Sequence, residues 1–277
     1  MNELEQVYTA RWSLKEIWKN TSEVKLKDLA TDGYNALTKI IGDKRKIDGT
    51  FTTPDQDHEG DHSTKPFKYT PPVVVKLPIN MPMVAGFTTS SGKAKGLVIH
   101  STEGRIGGKD QATNVLSYLA SQGYGCLVMD ESGIIYYGDK GINARGAHAG
   151  SGKWNGISNG NSVMFGIEVC SPGQVFKKAD GYYYDGGGKI PENLVPRIRY
   201  GGVEYGTPGY YMAFSEAQEE SLLNFCLWQL ATNPEFKIEN VCGHHEYRPG
   251  NKSDPGHALS YTMPQFRAKV LELSKIV

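Results

Sequence analysis

Residues 243–256 read GHHEYRPGNKSDPG, from Gly243 to Gly256. Two histidines, a lysine and an aspartate fall within fourteen residues that are broken by Pro249, Pro255 and three glycines. Such punctuation specifies a loop rather than a helix or a strand. A loop so dense in possible ligands needs something to order it, and a divalent metal supplies that. His244 and Asp254 are too far apart in sequence to share one helical face, so a rigid loop has to bring them together. A catalytic zinc site takes three protein ligands and leaves a position open for water. The third ligand must come from elsewhere, and His100, at the end of the apolar run Leu97-Val98-Ile99, is the best-placed candidate. The run itself reads as a short buried strand in the middle of a sheet.

Five further segments precede this loop in order: Val98-Ile99-His100-Ser101-Thr102, Gly123-Tyr124, Ala147-His148-Ala149-Gly150, Phe165-Gly166-Ile167-Glu168 and Phe214-Ser215-x-x-Gln218. Together with the closing loop, their order and spacing resemble the zinc-dependent N-acetylmuramoyl-L-alanine amidase family. That family comprises phage lysozyme-like amidases, cell-wall recycling amidases and peptidoglycan recognition proteins. The resemblance runs over roughly residues 92 to 275 and leaves the first ninety uncovered.

The resemblance implies an α/β domain built on a mixed central β-sheet flanked by helices. It implies one Zn2+ per chain on His100, His244 and Asp254. The family pattern of Gly-His followed ten residues later by Asp-Pro-Gly selects His244 over its neighbour His245, which then points away. His148, the rival third ligand, is placed by the resemblance in the substrate cleft. Trp154 is carried with it as a candidate substrate contact, although packing or surface is the favoured reading for Trp154 and for His257. Lys252 is placed to stabilise the oxyanion of amide hydrolysis. Glu168 interrupts an otherwise apolar strand, where a carboxylate costs free energy unless it is paired or hydrogen-bonded. That suits a general base beside a metal, the part a glutamate plays here in the recycling branch. Tyr124 matches a tyrosine of the phage branch and is read as a helper in transition-state stabilisation, the reverse assignment of the two being the alternative. Gly125 follows it where phage-type relatives often carry histidine.

The 30 basic and 30 acidic residues cancel, which argues against a nucleic-acid partner. No apolar run is long enough to cross a bilayer, and the start, Met1-Asn2-Glu3-Leu4-Glu5, shows no secretory signal. Synthesis as a soluble cytoplasmic chain is therefore expected. Cys126, Cys170, Cys226 and Cys242 each lie among apolar residues and read as free buried thiols.

Three regions are expected along the 277 residues. Residues 1–51 read as a small helical module, with the capping box Ser13-x-x-Glu16 and apolar Leu26, Leu29, Leu37, Ile40 and Ile41. It serves as a cap or as a docking element for the cell wall or another protein. Residues 52–82 read as a linker in which His58 and His62 are solvated. Residues 83–277 form the catalytic domain. Within it Asp110–Ser121 reads as a helix, and Tyr124–Met129, Ile134–Tyr137 and Ser162–Cys170 as strands. Helices open at Ser215-x-x-Gln218 and at Thr262 with Gln265. Residues 171–213 are a Tyr- and Gly-rich insertion, either lining the cleft or packing on itself. The expected function is a peptidoglycan amidase, most simply a phage lysin. The alternatives are a cytoplasmic muropeptide-recycling amidase and a non-catalytic peptidoglycan-binding protein. The expected partner is peptidoglycan or a muropeptide.

Overall fold

A computed structural model describes residues 69–81, 94–104 and 111–275. The helical module expected over residues 1–51 and the linker histidines His58 and His62 lie outside the described residues.

Among the described residues ten strands form in chain order: β1 Val74–Lys76, β2 Gly96–Ser101, β3 Leu127–Met129, β4 Ile135–Tyr137, β5 Met164–Val169, β6 Gln174–Lys178, β7 Gly181–Tyr183, β8 Ile198–Gly201, β9 Gly209–Met212 and β10 Val241–Gly243. The helices are α1 Gln111–Ser121, α2 Gly160–Val163, α3 Glu216–Thr232, α4 His244–Tyr247 and α5 Met263–Leu273. The central sheet runs β1-β4-β3-β5-β2-β10. Only the β3–β4 pair is antiparallel, so the sheet is mixed.

Every residue of β2 is buried, as a parallel strand covered on both faces must be. Alternation then sorts its side chains. Leu97 and Ile99 join Phe165 and Ile167 of β5 against Leu222, Phe225 and Cys226 of α3 and Phe266 and Val270 of α5. Val98 faces the other way, into a smaller cluster with Met164, Cys242, Tyr247 and Ala149. His100 shares that second face, which is where the chemistry sits.

Helix α3 starts where the sequence requires. The Ser215 hydroxyl accepts from the Gln218 amide at 3.1 Å, and the Gln218 side chain accepts from the Ser215 amide at 2.9 Å. The same two side chains tie the helix to the sheet. Ser215 donates to the Glu131 carbonyl at 2.6 Å, and Gln218 donates to the Cys170 carbonyl at 3.0 Å, just past β5. Thr262 and Gln265 repeat the reciprocal box at α5, with Pro264 in the first turn.

Two stretches differ from the sequence reading. Residues 74–76, expected in the linker, are instead the edge strand β1, paired in parallel with β4. Val73-Val74-Val75 is β-branched, and this preference outweighs the flanking prolines, which are tolerated at a sheet edge. The Tyr-rich insertion folds into a second, antiparallel sheet of order β7-β6-β9-β8. Val175, Tyr184, Ile190 and Met212 make its own small core. Tyr211 points the other way and is fully buried in the main core.

All four cysteines are free and buried. Among the described residues, no helix is long and apolar enough to cross a membrane.

Because Ser215 both caps α3 and bonds Glu131, Ser215→Ala is expected to cost about 1 kcal/mol, within roughly 0.5–2. In a unit of this size that lowers the midpoint of thermal unfolding by about 2–4 °C, which calorimetry checks.

Candidate metal centre

Register places the chemistry. In the β2–β10 pair Cys242 lies opposite Val98 and Gly243 opposite Ile99, so His244 arrives beside His100. In the β2–β5 pair His100 lies opposite Glu168. His244, His100 and Glu168 thus stand abreast at the carboxyl ends of three adjacent parallel strands, the end at which open α/β sheets gather their ligands.

The closing segment is not loop throughout, as its composition suggests. His244–Tyr247 makes one helical turn, because the Glu246 carboxylate accepts from the Gly243 amide at 3.2 Å and is itself held by Arg267 at 2.8 Å. Beyond it the chain returns so that the Asp254 carbonyl accepts from the His245 amide at 2.9 Å and from its ring Nδ1 at 3.1 Å. His245 is thereby turned away from the cluster, as expected. Gly256 carries a positive φ of 51° and lies against the Tyr211 ring. A β-carbon there would come within 2.3 Å of it, so only glycine lets the loop close.

Three atoms converge. His100 Nδ1 and His244 Nδ1 are 3.0 Å apart, and Asp254 Oδ2 is 3.3 and 3.2 Å from them. All three side chains are buried. The tautomers follow from one fixed acceptor. The Met164 carbonyl accepts from His148 Nε2 at 3.2 Å, so His148 Nδ1 is left as an acceptor. That nitrogen is 3.2 Å from His100 Nε2, which therefore carries the proton. His100 Nδ1 is then a bare lone pair facing the cluster. Burial, and then the neighbouring His100, pulls His148 down to about 3, so it stays neutral and the relay keeps its direction. Burial likewise lowers His100, against the raising influence of Asp254. Burial pushes the Asp254 carboxyl up, but the adjacent His100 and His244 outweigh this and hold it well below the usual carboxylate range.

This donor set fits a divalent cation. Bonds of about 2.0–2.1 Å to tetrahedral zinc separate neighbouring ligand atoms by roughly 3.3 Å, close to the spacings found. Asp254 Oδ1 and His244 Nε2 are buried with no hydrogen-bond partner. Neither is one of the three converging atoms, since His244 turns Nδ1, not Nε2, to the cluster, and Asp254 turns Oδ2. Among the described residues, this is the one group of histidine, cysteine and carboxylate side chains close enough to share a metal ion.

The cluster floors a cleft of about 550 Å³. Glu168, Lys252, Tyr124 and His148, all anticipated from sequence, line it. Glu168 is part-buried, and burial raises its carboxyl well above the ordinary range. The charges of Asp254 and Glu103 add to the rise and Lys252 opposes it. Tyr124 stands at the rim, bridged to Ala147 and 41% exposed. His148 has both ring nitrogens engaged within the protein, which makes it a support for His100.

Trp154 is a correction. It lies outside this cleft and lines a separate surface groove with Ile238, Pro264 and Leu271. Its Nε1 donates to the Glu239 carbonyl at 2.9 Å and its ring sits 4.9 Å under Arg267. His257 also packs elsewhere, stacked on Tyr205 at 3.8 Å and bonded to the Tyr200 carbonyl. The sequence reading did not single out Glu103, Asn161 or Arg248, which also line the cleft. Asn161 accepts from the amides of His148 and Ala149 at 3.0 and 2.7 Å and so fixes the relay loop. Glu103, three residues past His100 and at a positive φ of 54°, carried a signal in its adjacency to the ligand motif.

The family profile described as N-acetylmuramoyl-L-alanine amidase matches residues 90–257. The chain belongs to this family of peptidoglycan amidases, hydrolases of the amide between N-acetylmuramic acid and L-alanine. No curated protein sequence matches it. Among solved structures, a selenomethionine derivative of AmpD is 17% identical with a TM-score of 0.43, over 70% of this chain and 92% of that one. The endolysin amidase LysCS from Clostridium intestinale is 15% identical with a TM-score of 0.44, over 74% and 99%. AmpDH3 from Pseudomonas aeruginosa, solved with an anhydromuramic pentapeptide, is 19% identical with a TM-score of 0.42, over 67% and 62%.

The relay makes a prediction of its own. Removing the partner of a metal-binding histidine typically weakens the metal about 10–100-fold. His148→Ala should therefore lower zinc affinity by that factor in competition with a chromophoric chelator, whereas His244→Ala should abolish stoichiometric binding.

Proposed function

We propose that the chain is a zinc-dependent amidase, with one Zn2+ per chain held by His100, His244 and Asp254. The observation that carries this reading is the convergence of two imidazole nitrogens and one carboxylate oxygen on a single buried point, with Glu168 beside it. Family membership supplies the bond that is cut. A zinc ion bound there would polarise the scissile carbonyl and lower the pKa of water toward about 7.

The chain's own residues do the rest. Glu168 takes the proton of the attacking water as the oxygen adds to the lactyl carbonyl carbon. Lys252, on the same loop as Asp254, sets a positive charge beside the oxygen as it becomes negative. Tyr124 at the rim assists by hydrogen bonding to that oxygen. When the C–N bond breaks, Glu168 returns its proton to the L-alanine nitrogen, which leaves as the amine. His148 keeps His100 oriented throughout.

All three ligand positions are filled, which favours catalysis over recognition without cleavage. We favour a lysin acting on polymeric wall over a recycling amidase, because some ninety residues precede the matched region. Residues 1–51 would then be a docking module, for the wall or for a protein, and part of residues 52–82 its tether. Relative rates on sacculi and on soluble muropeptides test that preference, since a recycling amidase would favour the fragments.

The deciding experiment measures zinc content together with amino groups released from purified peptidoglycan. One zinc per chain and activity lost to a chelator are expected. Stoichiometric zinc without new amino termini would point to the recognition protein, and no zinc would sink the reading. Glu168→Gln should keep its zinc and lose about 10²–10⁴-fold in kcat/KM, while Lys252→Met should lose about 10²–10³-fold in kcat. The base works only when ionised, and its carboxyl is raised. Activity should therefore fall as pH drops through a value above the ordinary glutamate range, and this acid limb should be absent from the residual activity of Glu168→Gln.

A further inference from the structure

Among the described residues, Arg197, Arg199 and Arg267 each meet a carboxylate, on Glu131, Glu219 and Glu246. Arg145 donates to the Ser162 carbonyl. Arg248 differs. Its side chain lines the cleft, yet no described residue accepts a hydrogen bond from it, and its Nε is shut off from water without a partner. The cleft holds Glu103, Glu168 and Asp254, and none of them pairs with it.

The position of Arg248 is built. Its amide donates to the His244 carbonyl at 2.8 Å, and its own carbonyl accepts from Asn251 and Lys252 at 3.1 and 3.2 Å. The residue is thus locked into the loop that carries His244, Lys252 and Asp254. Its stem lies against Gly150 and Gly152. A β-carbon at Gly150 would stand 2.7 Å from Nη1 and 3.3 Å from Cδ, and one at Gly152 would stand 2.7 Å from Cγ. Two glycines of the relay loop leave the space that this arginine fills.

A guanidinium keeps its charge at any working pH, and its planar fork matches a carboxylate. A part-buried one without a counter-ion is a site waiting for an anion. In the substrate of the proposed reaction the sugar half is neutral, because the lactyl carboxyl is consumed in the scissile amide. The carboxylates lie on the peptide half. The nearest belongs to the γ-linked D-glutamyl residue that follows L-alanine, whose α-carboxyl is free in some walls and amidated in others. We propose that Arg248 is a specificity-determining residue that binds this free α-carboxylate, so that the enzyme discriminates against peptides amidated there. The proposal rests on the amidase reading above.

Two synthetic muramoyl tripeptides test it, N-acetylmuramoyl-L-alanyl-γ-D-glutamyl-L-lysine and its α-carboxamide counterpart, which differ in one functional group. The intact protein should show a KM about 10–100-fold lower for the carboxylate form, the range of a charge-assisted hydrogen bond. In Arg248→Met the two KM values should converge, with zinc content retained. Arg248→Lys, which keeps the charge and the stem, should retain part of the preference and serves if the Met variant does not fold. Equal KM values in the intact protein, or a preference that survives Arg248→Met, overturn the proposal. If the intact protein cleaves neither tripeptide, the amidase reading fails on its own account. Equilibrium binding of the same pair then decides Arg248, tighter carboxylate binding lost in Arg248→Met supporting it and equal binding overturning it.

Discussion

Parallel register between β10, β2 and β5 is the constraint from which the site follows. Pairing Gly243 with Ile99 and His100 with Glu168 brings an imidazole from each of two neighbouring chain segments, and a carboxylate from a third, to one end of the sheet. Side chains alternate across a strand, so a slip of one residue would send His100 into the apolar cluster and Ile99 toward the cleft. The burial of every residue of β2 prevents that slip, since the leucine and isoleucine faces have partners on one side only. Packing therefore does the positioning, and the polar groups accept the positions they are given.

What the polar groups add is direction. A single backbone carbonyl, that of Met164, fixes the tautomer of His148, which fixes that of His100, which leaves a lone pair aimed at Asp254 and His244. Burial keeps His148 neutral, so the order of donors and acceptors does not reverse. The same burial lifts Glu168, and the nearby charges of Asp254 and Glu103 lift it further. The Glu168 carboxyl is thus moved away from the ordinary glutamate range by its surroundings, as the base role proposed for it requires.

The α/β class and both long capped helices were legible in local chemistry, in strand runs, turn residues and reciprocal Ser/Thr–Gln boxes, and His100, His244 and Asp254 were legible as candidate ligands; the mixed sheet came only with the family resemblance. His244 was selected over His245 only through the family pattern. The structure supplies the physical reason, since the Asp254 carbonyl captures the His245 ring. Long-range packing was the part that could not be read. Trp154 stood between a substrate contact and packing, and nothing nearby in sequence announces Arg267 and Glu239, its actual partners. The strand at Val74–Lys76 was hidden among prolines because its stabilising partner β4 lies some sixty residues away. The tyrosines of residues 171–213 read as a loop because their alternation is interrupted by glycines, and the second sheet appears only once three dimensions bring its four strands together. Arg248 looked like one more loop cation, since what distinguishes it is the absence of a counter-charge among the described residues.

Tyr211 changes the standing of that second sheet. Its ring lies in the main core and presses on Gly256, two residues beyond Asp254 of the buried cluster. The 171–213 segment is therefore a buttress of the 243–256 loop from behind, although it lines none of the cleft. A trimmed catalytic core that omitted it would leave a tyrosine-sized void next to the one loop whose closure brings the aspartate home. The smallest unit that can keep the His100–His244–Asp254 cluster rigid includes this sheet, and its glycine-rich tips, rather than its strands, are the part open to lengthening or exchange.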